Sequence, residues 1–490
     1  MSEIKDKFEL DDVLDKFGVM KRYHLEKMIL IFVAFLVNEI HYTNYIFAAE
    51  EVSYRCKDGL EGKSHCSFNE SYTCPEWVYD NNDSFFAYFQ LACQEWKRTL
   101  VGTIHNAGYM CGLWLVGPMS DRLGRKTIAI ATSVLGALFG TLRSFSYSYW
   151  FYLVMEFLEG ALGDSFSPFY ILALELVSPK KRIPFYMYCS FGYCIGGIVV
   201  ALIAWVTPNW RWFLRAIYLP SFLFIFYSLL LDESPRWLYT KGRRDKAEKI
   251  LENASKKNKI ELDKQVLDKL SCKVSPNVTF SELLKSTFKS KLLRCRLLVC
   301  LVWWITSALV NYGLLINSVS LQGNKYIIFG VMYLIDIPGI LIFSYICKKF
   351  KRKRPLMISF LAGGVFSILQ PFVQTNFPWV SLIFYMTAKM MSMLYFNLTY
   401  LYTLELFPTY TRNSMHALCS SFGRLGSTLA PQTPLLAMYW KGLPSLIFGL
   451  AAVIAALVTC FVPDVSNESL PDTVEQAEGM GTTKKTYIQG

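Results

Sequence analysis

The feature that most limits what this chain can become is a series of near-continuous apolar runs, among them 28–37, 149–158, 195–206 and 446–462. Many such runs reach the roughly 20 residues a helix needs to cross a bilayer. Hydrocarbon offers no hydrogen-bond partner, so each run must satisfy its own backbone as a helix. A composition of 490 residues, 53% hydrophobic and 18% charged, would also suit several soluble domains, but this distribution does not. The expectation is an all-α polytopic membrane protein with twelve spans, at about 25–48, 102–119, a third ending near 146, 149–172, 184–207, 212–231, 297–317, 326–347, 355–375, 379–403, 413–438 and 443–462. Residues 1–17 are a mixed-charge segment before an apolar run too long for a signal-peptide core, so no cleavable signal is expected.

The net charge of +12 is unevenly spread. From Asp232 to Cys295 there are sixteen Lys/Arg against nine Asp/Glu, whereas Ala49 to Arg98 has five against nine. Short cytoplasmic segments collect positive charge in this way, so the basic stretch should face cytosol and anionic headgroups of the lipid bilayer; no nucleic acid partner is expected. The resulting organisation is a cytoplasmic N-terminus at 1–24, a six-helix half at 25–231 with an extracellular loop at 49–98, a cytoplasmic linker at 232–296, a second half at 297–463 and a cytoplasmic tail from 464 to 490. In the linker, Thr279 to Glu282 has capping-box spacing, which predicts short helices there.

The loop at 49–98 carries Cys56, Cys66, Cys74 and Cys93 together with the sequons at Asn69 and Asn82. Four cysteines in an extracellular stretch imply two disulfides, with three pairings open. A zinc site is disfavoured because no spacing is C-x-x-C. The sequons at Asn253, Asn277 and Asn397 fall in expected cytosol or membrane and should stay unmodified.

Within the spans the exceptions to apolarity are informative, because polar groups are costly in lipid and should face the bundle interior. Span 1 carries Asn38, Glu39, His41 and Asn44, and span 4 carries Glu156, Glu159 and Asp164, the first two on one helical face. Each is either a structural partner or part of a path for solute, cation or proton. Gly192, Gly196 and Gly197 in span 5 predict close helix packing. No Ser/His/Asp, metal or phosphate-loop arrangement has its supporting context, so neither an enzyme nor a cofactor is expected.

Gly117-Pro-Met-Ser-Asp-Arg-Leu-Gly-Arg-Lys126 is a short polar turn between spans 2 and 3, where two glycines permit bending and Pro118 should spoil regular helix. The string resembles the loop between helices 2 and 3 of major facilitator transporters. An internal repeat agrees with it. Leu174-Glu175-Leu176 ending at Arg182 recurs as Leu404-Glu405-Leu406 ending at Arg412, and the first turn meets Lys348 to Lys353 at an offset of 227. The resemblance implies two six-helix halves that rock around a solute held near mid-membrane. It also implies a conformational charge cluster of Asp121, Arg122 and Arg125 with Glu175, Glu405 and Arg412. Lys348 stands where Asp121 does in the first turn, so the second cluster should be wired differently.

The cysteine-bearing first loop, Asp232-Glu-Ser-Pro-Arg-Trp-Leu238, Glu405-Leu-Phe-Pro-Thr409, Arg412-Asn413 and Leu470-Pro-Asp-Thr473 occur in the order found in the organic cation, anion and carnitine transporter family, which the chain resembles over nearly its whole length. Sugar porters share the first turn and Ser-Pro-Arg-Trp but lack the large loop; a non-transporting sensor with this fold is the other alternative. The resemblance implies a multi-pass plasma-membrane protein whose partner is a small organic ion, with any coupling ion, proton or sodium, left open. It further implies an aromatic solute cavity lined by Tyr193, Trp304, Asn311, Tyr312, Asp336, Phe396, Tyr400 and Arg424, with Asp164 and Asn38 as further candidates. Aromatic faces suit onium groups and flat anions alike. Arg424 beside Asp336 fits a zwitterion, or a solute with one charged end, better than a dianion. Glu156 departs from the arginine usual in the family's helix 4, whereas Lys389 keeps the basic slot of helix 10.

Overall fold

The computed structural model describes residues 10–17, 21–57, 74, 76–178, 182–260, 290–373, 377–407 and 409–464. The expected linker helix at 279–282 and the tail beyond Asp464 lie outside these residues, as do Cys66 and Asn69. The chain forms two compact units, one of residues 1–93 and 107–276 and the other of residues 94–106 and 277–490.

The first unit begins with α1 (Leu10–Lys16) and α2 (Arg22–Thr43), followed by α3 (Tyr45–Ala48). A two-stranded antiparallel ribbon, β1 (Tyr54–Cys56) and β2 (Trp77–Tyr79), and the turn α4 (Phe85–Tyr88) belong to the first loop. Then come α5 (Glu95–Leu123), α6 (Arg125–Arg143), α7 (Tyr149–Leu162), α8 (Phe166–Glu175), α9 (Arg182–Val206), α10 (Trp210–Tyr218), a 3-10 stretch and α11 (Tyr227–Leu230). The short α12 (Pro235–Thr240) and α13 (Arg244–Asn258) end the described part of the unit. The first turns of α5 group with the second unit. That unit holds α14 (Lys291–Asn317), α15 (Lys325–Lys349), α16 (Lys353–Val373), α17 (Pro378–Leu406), α18 (Thr409–Leu429), α19 (Thr433–Leu436) and α20 (Leu443–Val458).

Eight helices among the described residues are long and apolar enough to cross a bilayer. The other four expected spans are also helical: α5 runs unbroken through span 2 and α6 through span 3, whereas spans 4 and 11 are interrupted. Span 4 divides at Gly163–Ser165 into α7 and α8, where one continuous helix was expected. Asp164 sits in the break, and its carboxylate accepts the Phe166 N–H at 3.0 Å. Span 11 gives way to a 3-10 turn after Leu429.

Local chemistry sets the helix starts. Ser290 caps α14 and Asn324 caps α15 with side-chain oxygens that accept N–H groups of the first turn. Small residues set the packing: a Cβ on Gly192 would stand 2.6 Å from the Phe32 carbonyl, and one on Gly196 would strike the Leu36 carbonyl, so α9 lies directly on α2. Large apolar side chains on the outer faces, such as Leu229, Leu298 and Ile358, stay exposed, as a lipid-facing surface requires. At the other extreme α1 buries Leu10, Val13, Leu14 and Phe17 against Tyr23, Leu251 and Ala254. In the first loop Cys56 is bonded to Cys74, and Cys93 is in a disulfide as well. Asn82 stands exposed.

Candidate functional site

The turn after span 2 is tighter than its sequence suggests. Instead of ending at Pro118, α5 continues through it to Leu123, and the reversal contracts to Gly124 at φ 113°. Only glycine suits that backbone, and a Cβ there would also strike the Glu233 carboxylate. Gly117 has open space around it, so the close approach belongs to Gly124 alone. Arg125 pairs with Asp121 at 2.7 Å and with Glu175 at 3.3 Å, and its Nη1 donates to the Ser120 carbonyl at 2.9 Å. Arg122 is exposed. The Asp232 to Trp237 string clamps this turn. Glu233 accepts the Lys126 N–H at 3.0 Å, and Trp237 Nε1 donates to the Asp121 carbonyl at 2.9 Å. Arg236 donates to the carbonyls of Glu175 and Val177, while Asp232 binds Lys27 at 2.7 Å. Burial lowers the pKa of the Lys126 ammonium, against the opposing pull of Asp232 and Glu233.

The second unit repeats this wiring. Arg352 bonds Glu405 at 3.2 Å, as Arg125 bonds Glu175, and its Nη1 donates to the Cys347 carbonyl at 2.8 Å, as Arg125 donates to Ser120. Lys353 Nζ reaches the Cys460 carbonyl as Lys126 reaches that of Ser228. Glu405 therefore belongs to this second cluster rather than completing the first. Expecting different wiring because Lys348 replaces Asp121 overstated the change, since the Arg–Glu core is retained. Arg412 lies on α18, but its side chain is outside the described residues.

Inside the first unit the charged groups converge on Arg143, which is wholly buried at the end of α6. Its guanidinium forms an ion pair with Glu156 and donates to Asn44 Oδ1 at 2.6 Å and to the Tyr218 hydroxyl at 3.1 Å. Tyr152 and Tyr218 each present a ring face 5.3 Å away. His41 stacks on Tyr218 at 4.4 Å and shares a hydrogen bond with Ser221 at 2.9 Å. Of the expected solute residues here, Asn38 donates to Ser165 at 3.3 Å, Asp164 is occupied at the head of α8, and Tyr193 is half-buried on α9.

The second unit brings most of the expected cavity residues together. Trp304 and Tyr400 lie 5.0 Å apart, Trp304 and Phe396 6.4 Å, and Tyr312 and Phe396 6.5 Å, measured between ring centroids. Trp304 is anchored by its Nε1 donating to Thr403 Oγ1 at 3.0 Å. Arg424 lies on α18 about two turns beyond His416, whose ring packs against Tyr400 at 4.3 Å. Asp336 pairs with Lys389 at 3.0 Å, and Lys389 also donates to Asn311 Oδ1 at 2.8 Å, where Ser392 donates as well. Asp336 and Asn311 thus share a buried network with a lysine, in which Asp336 Oδ2 is bonded and its Oδ1 meets no hydrogen-bond partner among the described residues.

Sequence reasoning missed Arg143, Lys389 as the partner of Asp336, and His416. Arg143 was legible as a lone arginine thirteen residues before Glu156 across a short turn. His416 sits between Trp304, at 5.2 Å, and Tyr400, at 4.3 Å.

Comparison with known proteins defines the class first: the Major Facilitator Superfamily profile matches residues 94–431, and the chain belongs to that superfamily. The fold agrees. The inward-open xylose transporter XylE from E. coli superposes with a TM-score of 0.64 at 17% identity, covering 92% of this chain and 99% of that one. Among curated relatives, an organic cation transporter protein of Drosophila melanogaster is 30% identical over 443 residues, covering 86% of this chain and 79% of that protein. Solute carrier family 22 member 1 of Bos taurus is 30% identical, covering 82% and 72%, and member 3 of Mus musculus is 28% identical, covering 84% and 74%. Within the superfamily the chain belongs to the organic cation transporter family.

Proposed function

We propose that this chain is a secondary transporter that moves a small organic ion across a membrane by alternating exposure of its solute site. The observation that carries the reading is the cluster of Trp304, Tyr400, Phe396 and Tyr312, packed by His416 against α18, which also carries Arg424, since aromatic walls with one cation hold an organic ion by its apolar body and one charged end. These groups point to the solute class. Trp304, Tyr400 and Phe396 offer ring faces to an onium group, and Arg424 offers a cation to a carboxylate. Rings for one end and a cation for the other suit a zwitterion, such as a betaine, better than a dianion or a simple dication. The relatives' names supply the wider class of organic cations. The cytoplasmic Arg–Glu pairs are the conformational elements, and the protein resides in the plasma membrane with both termini in the cytosol and the disulfide-bearing loop outside, glycosylated at Asn69 and Asn82.

Uptake of radiolabelled betaines, quaternary ammonium ions and aromatic carboxylates into proteoliposomes tests the reading, with and without an imposed pH or sodium gradient. Saturable accumulation abolished by excess unlabelled solute is expected. Binding without accumulation of any of the three classes would favour the sensor alternative.

A further inference from the structure

His416 is not among the family-derived cavity positions, yet α18 sets it among them. Along this helix His416, Ser420, Arg424 and Thr428 recur every four residues and are all half-buried, a polar stripe flanked by the buried Met415, Cys419, Gly423 and Gly426. Long helical side chains lean toward the helix N-terminus, so the Arg424 guanidinium is directed back along the stripe toward His416. Three rings meet at its other end: His416 to Tyr400 at 4.3 Å, His416 to Trp304 at 5.2 Å and Trp304 to Tyr400 at 5.0 Å. Trp304 is fixed in place by its bond to Thr403.

Both nitrogens of the imidazole are buried, and neither meets a protein donor or acceptor. A phenylalanine would fill the same space without leaving two hydrogen-bonding atoms unspent, which is costly in a buried site. Trp303, Tyr385 and Lys389 of this unit have bonded partners, and the Tyr395 hydroxyl is another buried group without one, but among these His416 is the ring whose two nitrogens both go unmet beside the aromatic cluster. Building on the reading that this face carries the solute, we propose that His416 is a specificity-determining residue of the solute site. Its ring nitrogens pair with a neutral hydroxyl or carbonyl of a small organic ion whose apolar or onium part lies on Trp304 and Tyr400 and whose anionic end, where present, turns toward Arg424. Neutral imidazole offers one donor and one acceptor, so a hydroxyl, which is both, is its best match.

The test uses matched radiolabelled pairs in proteoliposomes: carnitine with γ-butyrobetaine, which lacks the hydroxyl, and choline with propyltrimethylammonium, which has a methyl in its place. The wild type should favour a hydroxylated member by about five- to ten-fold in kcat/KM, the scale of one net hydrogen bond. His416→Phe, which keeps a ring, should erase that preference by raising KM for the hydroxylated member while kcat and the partner solute's KM stay put. His416→Gln should restore part of it. A wild type without preference, or a His416→Phe protein that keeps the preference or weakens both members equally, overturns the assignment while leaving the transport reading intact. If the wild type accumulates no organic ion at all, both fall.

Discussion

Removing one partner of the Arg143–Glu156 pair should reveal how the first unit tolerates a charge in the middle of its fold. Both side chains are fully buried, and breaking such a pair costs about 3–5 kcal/mol because the survivor stays charged without its partner. The two single changes should differ. In Glu156→Gln the guanidinium keeps Asn44 and the Tyr218 hydroxyl, and Glu159 still supplies negative potential, so the loss should lie near the lower figure. Arg143→Met leaves two acids close together without their cation and should lie near the upper one. For a unit of 150–250 residues each kcal/mol moves the midpoint by roughly 2–4 °C, so shifts of about 6–20 °C are expected. In Arg143→Met/Glu156→Leu no charge of the pair is stranded; Asn44 and Tyr218 lose a hydrogen-bond partner, and Glu159 loses the nearby cation but also its acidic neighbour. The double variant should therefore be more stable than Arg143→Met alone, with a coupling of about 2 kcal/mol or more. Fluorescence-detected size-exclusion after heating detergent-solubilised protein reads the midpoints. Additive losses would show that the pair is not an energetic unit.

Other expectations follow from single contacts. Gly124→Ala forces an unfavourable φ and a clash with Glu233, and should cut folded yield and surface expression well beyond Gly117→Ala, which enters open space. Cys56→Ser should leave the more accessible Cys74 reactive to a membrane-impermeant maleimide on intact cells, whereas the wild-type residue stays unlabelled until reduced. Arg424→Lys keeps the charge but loses the planar two-point grip, and should raise the apparent KM for carboxylated solutes with surface expression unchanged. An unchanged KM would remove Arg424 from the solute site.

What was legible in the sequence is what the bilayer enforces. Apolar runs give spans, and interior polar residues mark the faces that meet other helices, as Gly192 and Gly196 do for α9 on α2. The repeat in Leu174–Arg182 and Leu404–Arg412 pointed to two related halves because the same backbone geometry needs the same pairings at its turns. Partner choice was less legible. Asp336 read as a counter-charge for Arg424, but Lys389 lies across from it on α17 and binds it at 3.0 Å, a contact that depends on helix rotation rather than spacing. Glu156 read as a departure from a family pattern, and its cation came from another helix. Proline misled in the other direction: Pro118 is accommodated inside α5, where only one backbone donor is lost, and the turn falls to the residue whose φ demands glycine.

The repeat also decides which acid of the Arg125 cluster matters more. Asp121 is prominent in sequence, and its bond to Arg125 is the shorter, at 2.7 Å against 3.3 Å for Glu175. Yet the Asp121 side chain is 70% exposed, whereas Glu175 is 18% and Arg125 12%. Exposed pairs contribute about 0–1 kcal/mol, so shielding should outweigh the difference in length. The second half performs the corresponding deletion by itself: Lys348 occupies the aspartate position, and Arg352 still binds Glu405 and the Cys347 carbonyl as Arg125 binds Glu175 and the Ser120 carbonyl. The shared element is therefore the arginine held by a shielded glutamate and a helix-end carbonyl, with the aspartate as an addition. On the proposal that the pair is a conformational element and not part of the solute site, Glu175→Gln should slow net transport more than Asp121→Asn, with solute affinity kept in both. Uptake rate and equilibrium binding, measured on the same proteoliposomes, separate the two effects. A larger slowing in Asp121→Asn would mean that the exposed aspartate becomes shielded in the other orientation, and the ranking by exposure would be wrong.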